Sequence, residues 1–312
     1  MKERADAYCC HRSRRNRWVL WGLLARVGED VSFLAHGKQL EALRTHGLTV
    51  KSRLAGTFSL PVHATSNPQE IGPVDLVLFC VKTYDTRAAS EGLHLFMGPQ
   101  TVVLPIQNGI DAAEQLSGEV GMEHLVGGVA YVTSQIESPG VVAQTAGAGS
   151  IELGELAGGQ SERTERLQQV LRHAGISAQL PPDIRVSLWE KFLFICAFSG
   201  VTALTRLPLR QVLAYPETSD LLKVVMKEGE AVSRASGIAL PADIVERHYA
   251  TLQALEPSAM GSMAFDLLAG RRLEIEALNG TMVRLGQEHG MSLPFNYAIY
   301  AALKPYTNGA FR

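Results

Sequence analysis

A single lysine in an apolar segment is the residue with the clearest potential for chemistry. Residues 187–199 read SLWEKFLFICAFS and are apolar on nearly every side, which predicts a buried helix that carries Lys191. Desolvation of an ammonium without a partner is costly and lowers its pKa. Two interpretations follow: Lys191 snorkels or pairs with a carboxylate such as Asp183, or it is a proton donor that faces a cleft.

Polar residues follow two apolar runs that have the character of buried strands. VKTYD follows the first run at residues 81–85, and QNGID follows the second at residues 107–111. Ligands of open α/β sheets bind beyond the carboxyl ends of the strands, so Lys82 and Asn108 are candidates to face a cofactor or substrate. The alternative is that Asn108 and Gly109 form a turn and that Lys82 is a surface charge.

A third polar group lies near the C-terminus, comprising Ser262, Asp266, Glu274 and Asn279. Ser262 is a possible N-cap, and Glu274 is a possible first-turn acid stabilised by the helix dipole. Both structural interpretations stay open beside a binding role.

The elements that must position these residues divide the chain in two. Residues 74–81 and 101–106 are continuous apolar runs, typical of strands buried on both faces of a parallel sheet. Strands alternate with helices up to residue 182, which predicts a doubly wound α/β domain, and only helical periodicity follows. We therefore predict a Rossmann-like α/β domain over residues 1–182 and an all-helical domain over residues 183–312, with a cleft at the boundary.

Composition narrows the function further. A chain of 312 residues is expected to form two domains, and its net charge of −2 gives no footprint for nucleic acid. No run approaches the length of about 20 apolar residues that a membrane span needs, and the basic N-terminus lacks the pattern of a signal peptide. Cys80 and Cys196 lie in apolar runs and are expected to be buried and reduced. A cytoplasmic enzyme or binding protein fits.

Several motifs occur together in an order that resembles one family. They are VKTYDT at 81–86, PIQNGID at 105–111, GGVAY at 127–131, WEKF at 189–192, VTALTR at 201–206, and SMAFDL with LEIEALNG between 262 and 280. From about residue 24 to its end, the chain resembles the ketopantoate reductase (2-dehydropantoate 2-reductase) family.

The resemblance implies an activity and a set of roles. Family members use NADPH to reduce a 2-oxo acid, ketopantoate, to the 2-hydroxy acid pantoate in pantothenate and coenzyme A biosynthesis, and they are often homodimers. Their helical domain is of the 6-phosphogluconate dehydrogenase C-terminal type. Lys191 matches the general acid, Lys82 and Asn108 match contacts to cofactor and substrate, and Ser262 and Glu274 match substrate-binding residues. Hydride delivery to a keto carbon leaves an alkoxide that needs a proton, which a desolvated lysine can donate.

Two departures concern specificity. The family often has an arginine at position 36 for the 2′-phosphate of NADPH, and His36 with Lys38 is expected to substitute for it here. Many members carry asparagines one and two turns after the catalytic lysine, where this chain has Ile195 and Ser199. Ser199 is retained as a candidate substrate contact, but the less polar pocket leaves a related 2-oxo acid as an alternative substrate.

The third departure is the missing dinucleotide fingerprint, GxGxxG, whose glycines let the pyrophosphate approach a helix N-terminus. Arg12, Arg14 and Arg17 stand where those glycines are expected. As written, the chain is expected to bind NADPH poorly and to have a compromised first strand. A non-catalytic remnant with impaired cofactor binding is therefore an alternative to an active reductase.

A frameshift explains the three arginines. With permitted codons, residues 6–22 read one base later give MLIVVTGAGAIGGYFGG, a buried strand that leads into GAGAIG. A shifted glycine requires a codon ending in GG, and all six predicted glycines fall on residue types that have one: Arg12, Arg14, Arg17, Trp18, Trp21 and Gly22. We hypothesise that this segment is a frameshifted reading; gene codons that cannot produce the shifted sequence would reject the hypothesis.

Overall fold

The computed structural model describes the backbone of residues 7–11, and residues 18–52 and 55–310. The chain divides into two compact units, residues 1–107 with 111–185, and residues 108–110 with 186–312. The division falls three residues after the position predicted from sequence, and the short segment 108–110 belongs to the helical unit. Arg12, Arg14 and Arg17 lie outside the described residues.

The first unit alternates strands and helices, as predicted for a Rossmann-like domain. Its strands are β1 (Ala7–His11), β2 (Asp30–Leu34), β3 (Leu48–Ser52), β4 (Gly56–Leu60), β5 (His63–Thr65), β6 (Leu76–Phe79), β7 (Val102–Pro105), β8 (Gly127–Ser138), β9 (Val141–Gly154) and β10 (Ser177–Gln179). Its helices are α1 (Trp18–Arg26), α2 (Gly37–His46), α3 (Thr86–Ser90), α4 (Ala112–Val120) and α5 (Glu162–His173).

A five-stranded parallel sheet forms the centre of this unit, in the order β5-β2-β1-β6-β7. Every side chain of β6 and β7 is buried, which explains the continuous apolar runs, since helices cover both faces of such a sheet. The backbone of β1 pairs with both β2 and β6. The expectation that the first strand is compromised is therefore wrong for the backbone of residues 7–11.

A second sheet, which the sequence did not separate from the first, has the order β10-β9-β3-β4 with β8 paired to β9. Residues 141–145 and 150–153 belong to one strand, β9, although glycines lie between them. Gly147 and Gly149 adopt positive φ angles of 86° and 66° within it, and the β8–β9 register shifts in this region. Glycine tolerates this backbone, so the strand continues through a sequence that resembles a break.

An ion pair fastens α5 to the second sheet. Arg163 donates to both carboxylate oxygens of Glu155, at 2.8 and 2.6 Å, and also to the backbone carbonyl of Leu125 at 3.3 Å. Ser161 and Thr164 close a capping box at the helix N-terminus. The hydrogen bonds from Arg163 hold the pKa of Glu155 below its usual value.

The second unit is all-helical, as predicted, and its helices surround one apolar core. They are α6 (Ile184–Thr205, whose first two residues belong to the first unit), α7 (Leu209–Ala214), α8 (Pro216–Ala235), α9 (Ile244–Ala254), α10 (Ser262–Leu268), α11 (Thr281–Glu288) and α12 (Pro294–Leu303). The sequence missed α7 because it has only six residues, and α12 because apolar residues such as Phe295 and Tyr297 lie on its exposed side.

Helix α6 passes the length and composition test for a membrane span, the one helix of the described residues to do so. It has 22 residues and a mean hydropathy of 1.3, with 61% of the apolar window buried. The prediction that no run approaches this length is therefore wrong. Burial of Phe192, Leu193, Cys196 and Ala197 within the core of the second unit is typical of a central core helix.

Residues 274–289, whose apolar side chains recur at helical spacing, do not form one continuous α-helix. Glu276–Gly280 forms a π-helical turn, with the Gly280 amide donating to the Ile275 carbonyl at 2.9 Å, before α11 begins. Hydrophobic spacing continues through the turn, so periodicity alone does not reveal it. Such turns occur often at functional sites.

We predict that Glu155→Gln destabilises the protein by about 1 kcal/mol at pH 7, because the variant loses the ion pair with Arg163. The loss is small because both partners keep some contact with water. The pKa of Glu155 is lowered on folding, so its contribution is present above the unfolded value of about 4.5 and is lost as the pH falls through the folded value. Urea unfolding at pH 7 and pH 3 measures the difference between wild type and variant, which should shrink at the lower pH.

Glu119→Gln, at an exposed position on α4, is the control. Equal stability of wild type and Glu155→Gln at pH 7 would contradict a stabilising role for the pair.

Candidate functional site

A cavity of about 410 Å³ lies in the first unit, beside the carboxyl ends of β2 and β6. This is where an open parallel sheet binds nucleotides. Its lining is mostly apolar and comes from the strand ends and from α1, α2, α3 and β8. The lining residues are Trp18, Leu34, Ala35, His36, Gln39, Val81, Asp85, Ala88, Ala89 and Ile136.

Polar groups for a ligand lie around this cavity. His36 lines it and is exposed just before α2, with the exposed Lys38 in the first turn of that helix. Gln39 Oε1 accepts from the amide of Gly140 at 3.2 Å, whereas Gln39 Nε2 is buried and has no partner among the described residues. A buried donor of this kind needs an acceptor, which a nucleotide can provide.

Gln107, to which the sequence pattern assigns no role, joins the polar segments that follow β6 and β7. Its Nε2 donates to the Val81 carbonyl at 2.8 Å and lies 2.9 Å from the Thr86 hydroxyl. This ties the end of β7 to the loop after β6, where the half-buried Lys82 precedes a 3-10 turn. The adjacency of the two ends follows from β6 and β7 being neighbours, but the role of Gln107 has no sequence signal of its own.

The residues present fit the nucleoside portion of a dinucleotide, because the cavity is mostly apolar, lies at the expected sheet edge and is lined in part by the polar His36 and Gln39. The start of α1 is less suitable for the pyrophosphate of a dinucleotide. The indole N–H groups of Trp18 and Trp21 are buried without an acceptor among the described residues. Each unsatisfied donor costs about 1–3 kcal/mol. These are two of the six positions at which the shifted reading has glycine.

In the second unit, Lys191 lies in the middle of α6 on its less buried side. Leu188, Phe194, Ile195 and Phe198 are half-buried like Lys191 and share its face of the helix, at spacings of three, four and seven residues. We call these four residues the apolar stripe. The Lys191 side chain therefore leaves the helix beside an apolar surface.

The structure pairs Asp183, one suggested partner of Lys191, with another residue. Arg185 donates to both Asp183 oxygens, at 2.9 and 2.7 Å. These hydrogen bonds hold the pKa of Asp183 below its usual value. The negative charge of Asp183 is therefore already balanced locally.

Ser199 lies two turns beyond Lys191 and packs against the segment that precedes Ser262. A Cβ atom on Gly261 would lie 2.4 Å from both the Cα and the Oγ of Ser199, so only glycine fits there. The Thr202 hydroxyl accepts from the Gly261 amide at 3.1 Å. Ser199 is 4% exposed, and its role as a substrate contact stays a prediction.

The half-buried Ser262 is the first residue of α10, and Gly261 occupies the N-cap. The interpretation of Ser262 as an N-cap is therefore wrong. Its position beside α6 depends on the contact between Gly261 and Ser199.

Glu274 is 5% exposed and lies just before the π-helical turn, where its carbonyl accepts from the Leu278 amide at 3.2 Å. Within the turn, Asn279 Nδ2 donates to the Cys196 carbonyl of α6 at 3.3 Å. Helix α6 therefore contacts both segments that carry the predicted substrate residues. Asn108 belongs to the same unit, where Ile110 packs against the helical core.

Two titratable groups near Lys191 are held neutral by burial. Burial raises the pKa of the Cys196 thiol well above its usual value, so the thiol is inert. Burial also lowers the pKa of His248, whose ring lies 5.4 Å from that of Phe194 and which bonds the Glu190 backbone. Burial therefore keeps both of these groups on or beside α6 uncharged near neutral pH.

Comparison with known proteins covers both units. The protein-family model described as "Ketopantoate reductase PanE/ApbA" matches residues 19–158. A second family model, "Ketopantoate reductase PanE/ApbA C terminal", matches residues 183–307. A 2-dehydropantoate 2-reductase of Archaeoglobus fulgidus is 32% identical over 93% of this chain and 94% of its own length.

Solved structures give the same result. A crystal structure of 2-dehydropantoate 2-reductase from Geobacter metallireducens is 32% identical, with a TM-score of 0.90 over 96% of this chain and 100% of that one. D-mandelate dehydrogenase, solved with NADH and anilino(oxo)acetate, is 19% identical and shares the fold, with a TM-score of 0.88 over 96% of this chain and 98% of that one.

We predict that Gly261→Ala destabilises the protein by about 1–3 kcal/mol, because the new methyl group forces the Ser262 segment away from α6. Thermal unfolding measures the loss of stability. The matched control is Gly118→Ala, where a Cβ atom has no neighbour within 4 Å. Wild-type stability of Gly261→Ala would contradict the close contact between Gly261 and Ser199.

Proposed function

The chain belongs to the ketopantoate reductase family, and from this premise we propose that it catalyses the NADPH-dependent reduction of 2-dehydropantoate to pantoate. One observation carries the proposal: the helix that bears Lys191 contacts both the segment that leads into Ser262 and the turn that follows Glu274. A proton donor and two substrate-binding side chains are thereby held in one unit.

The proposed roles follow from the chemistry of carbonyl reduction. When bound, the nicotinamide supplies the hydride. Lys191 Nζ donates a proton to the C2 oxygen of the substrate as negative charge develops there. Ser262 and Glu274 hold the substrate, Glu274 by accepting from its hydroxyl group, and Asn108 orients the reacting oxygen or the nicotinamide.

The proposed cofactor is NADPH. The cavity beside β2 would hold the nucleoside portion, with His36 and Lys38 supplying positive or hydrogen-bonding groups for the 2′-phosphate and Lys82 contributing a further charge. The indole groups of Trp18 and Trp21, which find no acceptor among the described residues, support the proposal that residues 6–22 are a frameshifted reading. A chain with the shifted sequence is expected to bind NADPH more tightly than the chain as written.

A second substrate class is favoured by the apolar stripe. Ketopantoate carries a hydroxyl group on C4, and polar side chains near the proton donor would help to recognise it. The half-buried residues that share the face of Lys191 are all apolar. The runner-up proposal is therefore a reductase of a related 2-oxo acid with a bulky apolar side chain.

The homodimer and the cytoplasmic location implied by the resemblance remain part of the proposal.

We predict that Lys191→Ala lowers kcat about 10²–10⁴-fold, the usual contribution of a positioned general acid, while the Kd for NADPH changes less than about threefold. Substrate-dependent NADPH oxidation and fluorescence titration measure the two quantities. Both are measured in the chain as written and in a form with residues 6–22 replaced by the shifted sequence, so that weak cofactor binding is not mistaken for lost chemistry.

The control variant is Lys223→Ala, at a surface position on α8 whose Nζ pairs with Asp220. Full turnover by Lys191→Ala in an active form would reject the proposed mechanism. Tight NADPH binding and no reduction of any 2-oxo acid in either form would instead favour the non-catalytic alternative.

We predict that the C4 hydroxyl contributes little to recognition if the apolar stripe contacts the substrate. Ketopantoate and 3,3-dimethyl-2-oxobutanoate differ by that hydroxyl alone. Their kcat/KM values are expected to agree within about tenfold if the hydroxyl faces the apolar stripe, and to differ by more than about tenfold if it donates to the Glu274 carboxylate, because a hydrogen bond to a charged group is worth about 1.5–3 kcal/mol. Ile195→Asn should shift the ratio towards ketopantoate. A preference of 10³-fold or more for ketopantoate in the wild type would reject the second substrate class.

A further inference from the structure

A continuous chain of polar groups crosses the second unit, away from the residues proposed to touch substrate, and is buried beyond its half-buried first member. It begins at Glu228 on α8, whose two carboxylate oxygens accept from the backbone amides of Phe295 at 2.9 Å and Asn296 at 2.8 Å. These are among the first amides of α12, which has no side-chain cap of its own. Glu228 therefore caps α12 from a different helix.

Two asparagines continue the chain. Asn296 Nδ2 donates to Glu228 at 2.8 Å and to the Val225 carbonyl at 3.2 Å. Asn296 Oδ1 accepts from Asn279 Nδ2 at 3.0 Å, and Asn279 Nδ2 also donates to the Cys196 carbonyl of α6 at 3.3 Å. Both asparagines are fully buried. The bonds therefore connect α8, α12, the π-helical turn and α6.

We propose that Glu228, Asn296 and Asn279 are positioning residues that hold the Glu274 segment in register on the helix that carries Lys191. The inference rests on the proposed function, because it assigns a purpose to the mutual placement of those two residues. Asn279 lies five residues after Glu274 and bonds α6 five residues after Lys191. A shift of the turn along α6 would break this bond and displace Glu274 with it.

An unpaired acceptor argues for positioning over simple stabilisation. Asn279 Oδ1 is buried with no partner among the described residues. It faces Gly200, where a Cβ atom would lie 3.1 Å from it. An apolar side chain in place of Asn279 would leave no unsatisfied acceptor. The buried amide therefore costs stability, which is expected only where its directional donor is needed. The π-helical turn, a costly form of helix, is a second such feature at the same residue.

The test compares Asn279→Ala and the milder Glu228→Gln with Ser219→Ala. The last variant removes another buried contact of α8, the 2.6 Å hydrogen bond between Ser219 and Tyr249. Each variant is made in the full chain. The form used, as written or with residues 6–22 replaced by the shifted sequence, is the one that reduces the substrate. Expected results are a tenfold or greater fall in kcat for Asn279→Ala, a smaller fall for Glu228→Gln, less change in KM, and unchanged NADPH affinity. Ser219→Ala should lose thermal stability but keep its kcat.

Amide hydrogen exchange provides a readout that is independent of activity. Faster exchange in residues 274–281 of Asn279→Ala, with residues 216–224 unaffected, is expected. Wild-type kcat in Asn279→Ala and Glu228→Gln, at a stability loss equal to that of Ser219→Ala, would overturn the inference. If no form reduces a 2-oxo acid, the proposed function fails, and unchanged exchange in residues 274–281 would then reject the register claim on its own.

Discussion

The position of one charged side chain in the central apolar helix constrains the whole helical unit. Helix α6 is buried along Phe192, Leu193 and Cys196, and it exposes only the face that holds Lys191. Neighbouring segments approach its buried side closely: a Cβ atom at Gly229 of α8 would lie 2.4 Å from Leu193. Such packing leaves the backbone of α6 little freedom to shift. The proposed proton donation to a 2-oxo acid requires Lys191 to start from a fixed backbone position.

The two units divide the proposed work. The first offers a cavity at the carboxyl edge of a parallel sheet, as expected for a dinucleotide, and the second carries the residues proposed to donate the proton and to bind substrate. At the start of α1, Trp18 and Trp21 bury indole groups that find no acceptor among the described residues. A shifted reading of residues 6–22 would remove both groups and restore the glycine loop.

The sequence predicted elements that have a continuous apolar run or a regular hydrophobic spacing. It did not predict features that depend on contacts between residues far apart in the chain. Continuous apolar runs identified β6 and β7. The change after residue 182, from alternating strand and helix patterns to helical periodicity alone, identified the helical unit. The second sheet was missed because strand pairing between β3 and β9 joins residues almost a hundred positions apart. The interlocked asparagines were missed for the same reason: nothing in the local sequence distinguishes the buried Asn296 from a surface residue.

Chemical rescue tests most directly whether an amine at position 191 delivers the proton. Methylammonium is added to Lys191→Ala during NADPH-dependent reduction of ketopantoate, in the form of the chain that binds the cofactor. The account predicts that turnover rises with methylammonium concentration and that Lys223→Ala shows no such response. An inactive Lys191→Ala variant whose turnover no small amine restores, although NADPH and ketopantoate still bind, would contradict it.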